Sequence, residues 1–91
     1  MNQLRRKEIG RLTDLMNHKR YDITVDLAGE IENIRDEERE AYDNLPDGIK
    51  ESDRGWQMEE AIDNLESALQ ALEDIEQLFC DIEDYLIEAQ G

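Results

Sequence analysis

The sequence predicts an all-α protein: a long antiparallel helical hairpin, coiled-coil-like, that dimerises into a four-helix bundle. Three observations carry this expectation. The C-terminal part repeats apolar residues in steps of 3,4,3,4,3,4,3,4 at Met58, Ala61, Leu65, Ala68, Leu72, Ile75, Phe79, Ile82 and Leu86, a heptad seam with which no strand pattern competes. A single proline punctuates the chain at Leu45-Pro46-Asp47-Gly48, where proline presets φ, Asp follows comfortably and Gly closes a turn. And the chain is short and apolar-poor, with 91 residues and 38% hydrophobic content; a domain of this size buries only roughly 60% of the surface its unfolded chain exposes.

The elements follow in order as one domain, 1–91. Arm one covers about 3–45, the turn about 46–52 and arm two about 53–89. A residue before proline is pushed out of the helical region, so arm one should end near Asn44 or Leu45. Ser52 and Asp53 are good N-cap residues for arm two, which would be about 55 Å long as a helix. Ile62 and Leu69 widen its seam on one side, and Ala71, Leu78 and Tyr85 on the other, so it should contact two or more neighbours. Such a stripe exceeds what a two-helix hairpin covers, which is why a homodimer is expected. In arm one, Leu27, Ile31, Ile34, Glu38, Ala41 and Leu45 keep the heptad spacing, whereas Ile9, Leu12, Met16 and Ile23 follow another frame. The 4,4 step from 23 to 27 to 31 is a stutter. Residues 17–25 between the frames are polar and then β-branched, a poor helix former. They form either a break between two helices or a strained stretch of one continuous helix, and propensity favours a break or kink. Tyr42, Leu45, Ile49 and Trp56 are expected to cap the turn.

Charge is unevenly placed. The chain carries 25 Asp and Glu against 10 Lys and Arg, a formal charge of -15. Residues 1–20 hold six basic residues (Arg5, Arg6, Lys7, Arg11, Lys19, Arg20) and two acidic, a net of +4, and the remainder a net of -19. Antiparallel register sets Arg5, Arg6, Lys7 and Arg11 beside Asp81, Asp84 and Glu88. Such a charge keeps a protein soluble and repels nucleic acid and anionic membrane, so neither is an expected direct partner. No apolar run approaches the roughly 20 residues of a membrane span; the expected location is the cytoplasm.

No constellation points to catalysis. His18 is the only histidine and has no nucleophile at helical spacing, and Cys80 has no second residue to support a catalytic role. A calcium loop with Gly48 at its sixth position would place Leu45 and Arg54 where oxygen ligands are required. No cofactor is expected. What remains is an acidic interaction face on arm two, at Glu59, Glu60, Asp63, Glu66, Glu73, Asp74, Asp81, Asp84 and Glu88, beside the self-association seam already named. Outward acids on a helix recur about every 5 Å, of the order of the phosphate repeat of one nucleic-acid strand. The expected function is therefore a non-enzymatic interaction module that self-associates through the seam. The alternative is an acidic nucleic-acid mimic whose partner is a basic DNA- or RNA-binding enzyme.

The stretches Ile34-Arg35-Asp36-Glu37-Glu38-Arg39-Glu40-Ala41-Tyr42-Asp43-Asn44-Leu45-Pro46 and Met58-Glu59-Glu60-Ala61-Ile62-Asp63-Asn64-Leu65-Glu66, with the opening Leu4-Arg5-Arg6-Lys7-Glu8-Ile9, resemble small acidic helical proteins carried by phages, prophages and mobile elements of Gram-positive bacteria. The resemblance covers about two thirds of the chain and departs at 17–26, where the heptad frame also shifts. It implies a mobile-element context and no residue-level function.

Overall fold

The computed structural model describes residues Met1–Gly91. It is all-helical, with no strand: α1 (Gln3–Tyr21), a π-helical segment (Asp22–Leu27), α2 (Ala28–Asp43), the single turn α3 (Asp47–Lys50) and α4 (Asp53–Ala89). The chain forms two compact units. A terminal unit combines Met1–Leu27 with Leu72–Gly91, and a turn unit comprises Ala28–Ala71.

In the terminal unit α1 runs antiparallel to the second half of α4. Arg6 Nε donates to the Gln90 carbonyl at 3.1 Å, and Arg20, near the other end of α1, meets Glu76 and Glu83. The Asn2 side chain caps α1 by accepting the Arg5 N–H at 2.9 Å, which satisfies one of the orphan donors at a helix start. Residues 17–25 do not break the chain. The helix passes through the π segment into α2 without interruption, which corrects the expected break. A π turn takes in more residues than an α turn, so it can absorb one residue of frame shift without ending the helix. The half-buried positions record this. They step 9, 13, 16, 20, 23 and then resume at 24, 28, 31, 35, so that adjacent Ile23 and Thr24 are both half-buried and the frame moves on by one residue. The β-branched Thr24 is held inside the helix by its hydroxyl, which donates to the Arg20 carbonyl at 2.8 Å.

In the turn unit α2 and the first half of α4 form an antiparallel hairpin, joined by ion pairing of Arg39 with Glu66 and by the Tyr42 hydroxyl donating to Glu59. Helix α2 stops at Asp43, close to the end expected from Pro46. The connection is not a simple β-turn. Pro46 heads the one-turn helix α3, its carbonyl accepting from the N–H groups of Ile49 (2.9 Å) and Lys50 (3.0 Å). The Ser52 hydroxyl is turned back to the Ile49 carbonyl. Gly55 is buried where α3 and α4 meet, and a Cβ there would lie 2.1 Å from the Lys50 carbonyl oxygen. The expected apolar cap does not form around Trp56, which is 62% exposed. Tyr42 instead lies under the Lys50 ammonium, 5.4 Å from the ring centre, a cation–π contact.

Candidate interaction surface

The packing divides α4 into three longitudinal rows. The inward row is Gly55, Met58, Ile62, Leu65, Leu69, Leu72, Glu76, Phe79, Glu83, Leu86 and Gln90, every member buried or half-buried. Ile62 and Leu72 are its most buried hydrophobic residues, each 8% exposed. This row keeps the 3,4 alternation of the predicted seam but lies in a different phase. It shares Met58, Leu65, Leu72, Phe79 and Leu86 with that seam and replaces Ala61, Ala68, Ile75 and Ile82 by Ile62, Leu69, Glu76 and Glu83. Of the residues displaced, Ala68 is half-buried and Ala61, Ile75 and Ile82 are exposed.

The second row lies one residue before the inward one: Gln57, Ala61, Asn64, Ala68, Ala71, Ile75, Leu78, Ile82, Tyr85 and Ala89. From Gln57 to Ala89 it holds no charged residue, Arg54 before Gly55 being the one exception, in a chain with 25 acidic residues, and its large members are open, with Leu78 at 58% and Tyr85 at 70% exposure. In an antiparallel helix pair, residues just before the inward positions point to the same side of the pair on both helices, because reversing the chain and reversing the facing direction cancel. Leu12 and Leu15 of α1, just before the inward Thr13 and Met16, therefore join Ile75, Leu78, Ile82 and Tyr85 on one side of the terminal unit. In the turn unit the corresponding α2 residues are Glu30, Ile34, Glu37 and Ala41, also exposed.

The third row follows the inward one and turns acidic. Glu59, Asp63, Glu66, Glu73 and Asp84 lie along it, while Glu60, Asp74, Asp81 and Glu88 occupy the outward edge. Five of the nine predicted acids, Glu59, Asp63, Glu66, Glu73 and Asp84, thus lie away from the uncharged row, while Glu60, Asp74, Asp81 and Glu88 border it three residues after Gln57, Ala71, Leu78 and Tyr85. Not all of them are bare: Glu59 accepts from Tyr42, Glu66 pairs with Arg39, and Asp81 accepts from Gln77 at 3.1 Å. The Glu59 bond, as the largest cause, raises the Tyr42 hydroxyl above its ordinary pKa.

A polar cluster stands where the terminal unit would otherwise be apolar. Arg20 Nε donates to both carboxylate oxygens of Glu76 at 2.9 and 3.0 Å. Its terminal nitrogens reach Glu83 Oε2 at 3.5 Å and Cys80 Sγ at 3.2 Å. The Glu76 hydrogen bonds raise the guanidinium pKa above its usual value, against a smaller opposing effect of burial. The Glu76 carboxyl is held below the ordinary range, chiefly by the Arg20 hydrogen bonds; partial burial opposes them, and Thr24 adds to the lowering. Glu76, Glu83 and Arg20 were not singled out from the sequence. The signal for the two acids was the seven-residue ladder Ile62, Leu69, Glu76, Glu83, which places them in line with two seam-flanking apolar residues.

The basic head is arranged differently from expectation. No ion pair joins Arg5, Lys7 or Arg11 to Asp81, Asp84 or Glu88. Arg6 instead meets a main-chain carbonyl at the end of α4, where the helix dipole favours a cation, and Arg20 supplies the charge pairing. His18 is exposed on α1. No three His, Cys, Asp or Glu side chains stand together as metal ligands would, and no helix is long and apolar enough to cross a membrane. The chain matches no protein-family description, no characterised protein and no solved structure.

Proposed function

We propose that this chain is a non-enzymatic protein–protein interaction module that associates with itself as a homodimeric four-helix bundle. The observation that carries this reading is the uncharged row of α4, which leaves Ile75, Leu78, Ile82 and Tyr85 open in a chain of charge -15. Contiguous exposed apolar side chains bordered by polar ones mark association surfaces. The setting proposed is the cytoplasm of a bacterium carrying a phage or mobile element, on the strength of the resemblance of residues 34–46 and 58–66.

Sedimentation equilibrium of the full chain tests the reading. A concentration-dependent dimer that persists as salt rises is expected, because salt screens repulsion between two acidic copies and leaves apolar contact intact. A monomer at every concentration overturns it.

The second reading, an acidic nucleic-acid mimic binding a basic enzyme, draws on the other side of α4. There Glu60, Asp63, Glu73, Asp84 and Glu88 are exposed, and no basic residue follows Arg54. Binding to such a partner should collapse with rising salt and be displaced by duplex DNA.

A further inference from the structure

Self-association leaves open where the second copy sits. The side of the terminal unit formed by Leu12 and Leu15 of α1 with Ile75, Leu78, Ile82 and Tyr85 of α4 is the richest in large exposed apolar groups; in the turn unit the same row of α4, from Gln57 through Ala61, Asn64, Ala68 and Ala71, holds no large apolar group. The two flanks of that side carry opposite charge. On the α1 flank stand Arg5, Arg11 and Lys19, exposed and without an ion pair in the chain, with Glu8 the one acid among them. On the α4 flank stand Asp74, Asp81 and Glu88. A second terminal unit turned by 180° about an axis parallel to the helices presents its α4 flank to the first copy's α1 flank. Apolar side then meets apolar side, and basic meets acidic at both edges. An isologous contact demands this self-complementarity.

We propose, resting on the self-association reading, that a second copy of this chain docks on this side of the terminal unit, each α1 lying against its partner's α4 about a two-fold axis parallel to the helices. In this register Leu12 of one copy lies level with Tyr85 of the second. Arg11 and Lys19 reach the edge that carries Glu88 and Asp81 of the second copy, which supplies the basic head with the acidic neighbours it lacks within its own chain. The row of α4 that meets the second copy holds no acid, so α4 brings no carboxylate into the contact between two strongly negative chains; Glu8 is the one acid that α1 adds on that side.

The test uses the full chain. Leu78→Glu and Ile82→Glu should each raise the dimer dissociation constant about 100-fold, as expected for an unpaired charge placed at the centre of an apolar contact, while far-ultraviolet circular dichroism reports retained helix. Asp63→Ala, on the opposite row, should leave the constant unchanged. Two single-cysteine chains in a Cys80→Ser background, one with Leu12→Cys and one with Tyr85→Cys, should cross-link to each other when mixed and oxidised. A monomeric wild type overturns the self-association reading itself. A wild-type dimer that survives both glutamate substitutions overturns the docking side alone. A dimer that they dissolve but that links Tyr85→Cys to Tyr85→Cys, and not to Leu12→Cys, overturns the arrangement of α1 against α4.

Discussion

The two halves of α4 meet their neighbours through the same heptad positions with opposite chemistry. In the turn unit the positions seven apart are Gly55, Ile62 and Leu69; in the terminal unit they are Glu76, Glu83 and Gln90. The first half packs apolar groups against α2, and glycine admits the α3 backbone. The second half sets two carboxylates against Arg20, which projects from the last turn of α1 beside the π segment. One geometric repeat therefore serves two jobs. The apolar half supplies burial, and the polar half supplies register, because a bidentate Arg–carboxylate pair tolerates one alignment where aliphatic contacts tolerate several.

The sharpest way to break this contrast is to remove its most buried groups. Ile62→Ala and Leu72→Ala should each destabilise the protein by about 2–4 kcal/mol, measured by urea unfolding. Nearly equal losses are expected, since the two side chains are equally buried. A Leu72→Ala cost well under 1 kcal/mol would mean that the terminal unit is held by its polar cluster rather than by apolar burial. Next in size, Gly55→Ala should cost on the order of 1–3 kcal/mol through collision with the Lys50 backbone; Gly29→Ala, where an added Cβ meets nothing within 4 Å, should be neutral or mildly stabilising.

The polar half is tested by making it resemble the apolar one. Arg20→Leu alone should destabilise, because it strands Glu76 and Glu83 on a half-buried row. Arg20→Leu with Glu76→Leu should recover much of that loss, the behaviour of ion pairs replaced together by apolar groups; equal destabilisation by both would show that the pair is no substitute for packing. The pH dependence gives the same cluster a signature. Glu76 is lowered in the folded state, so its contribution is complete above the unfolded glutamate value near 4.3 and is lost as pH falls through the lower folded value. The stability advantage of the native chain over Glu76→Gln should therefore be constant at neutral pH and shrink in the acid range below about 4. The smallest effect belongs to the exposed pair of the turn unit: Arg39→Ala should change stability by under about 1 kcal/mol and lose even that in high salt.

Much of the local structure is legible in the sequence. The end of α2 follows from Pro46, because proline sterics act over a few neighbouring residues, and α4 starts at Asp53 although the Ser52 hydroxyl turns back to Ile49 rather than capping it. The phase of the seam was not legible. Periodicity alone permits Ala61, Ile75 and Ile82 to face inward as readily as Ile62 and Leu69, and an apolar stripe wider than one seam offers two solutions. The π segment is a similar case: the 4,4 step marked a shift of frame, yet propensity favours a break because it does not count the Thr24 hydrogen bond or the packing on both sides.

The sequence by itself determined that the chain is helical, where its longest helix begins, and that apolar residues recur along α4 at helical spacing with acids between them. These follow from local sterics and from spacing that repeats every few residues. Only the tertiary structure decided which apolar residues are buried within the chain and which stay open, that two glutamates enter the inward row, and that the first arm runs on through a π turn. Each of those depends on what stands opposite: Arg20 makes carboxylates tolerable at 76 and 83, and once α1 and α2 cover the inward row, Ile75, Leu78, Ile82 and Tyr85 are left for a second surface.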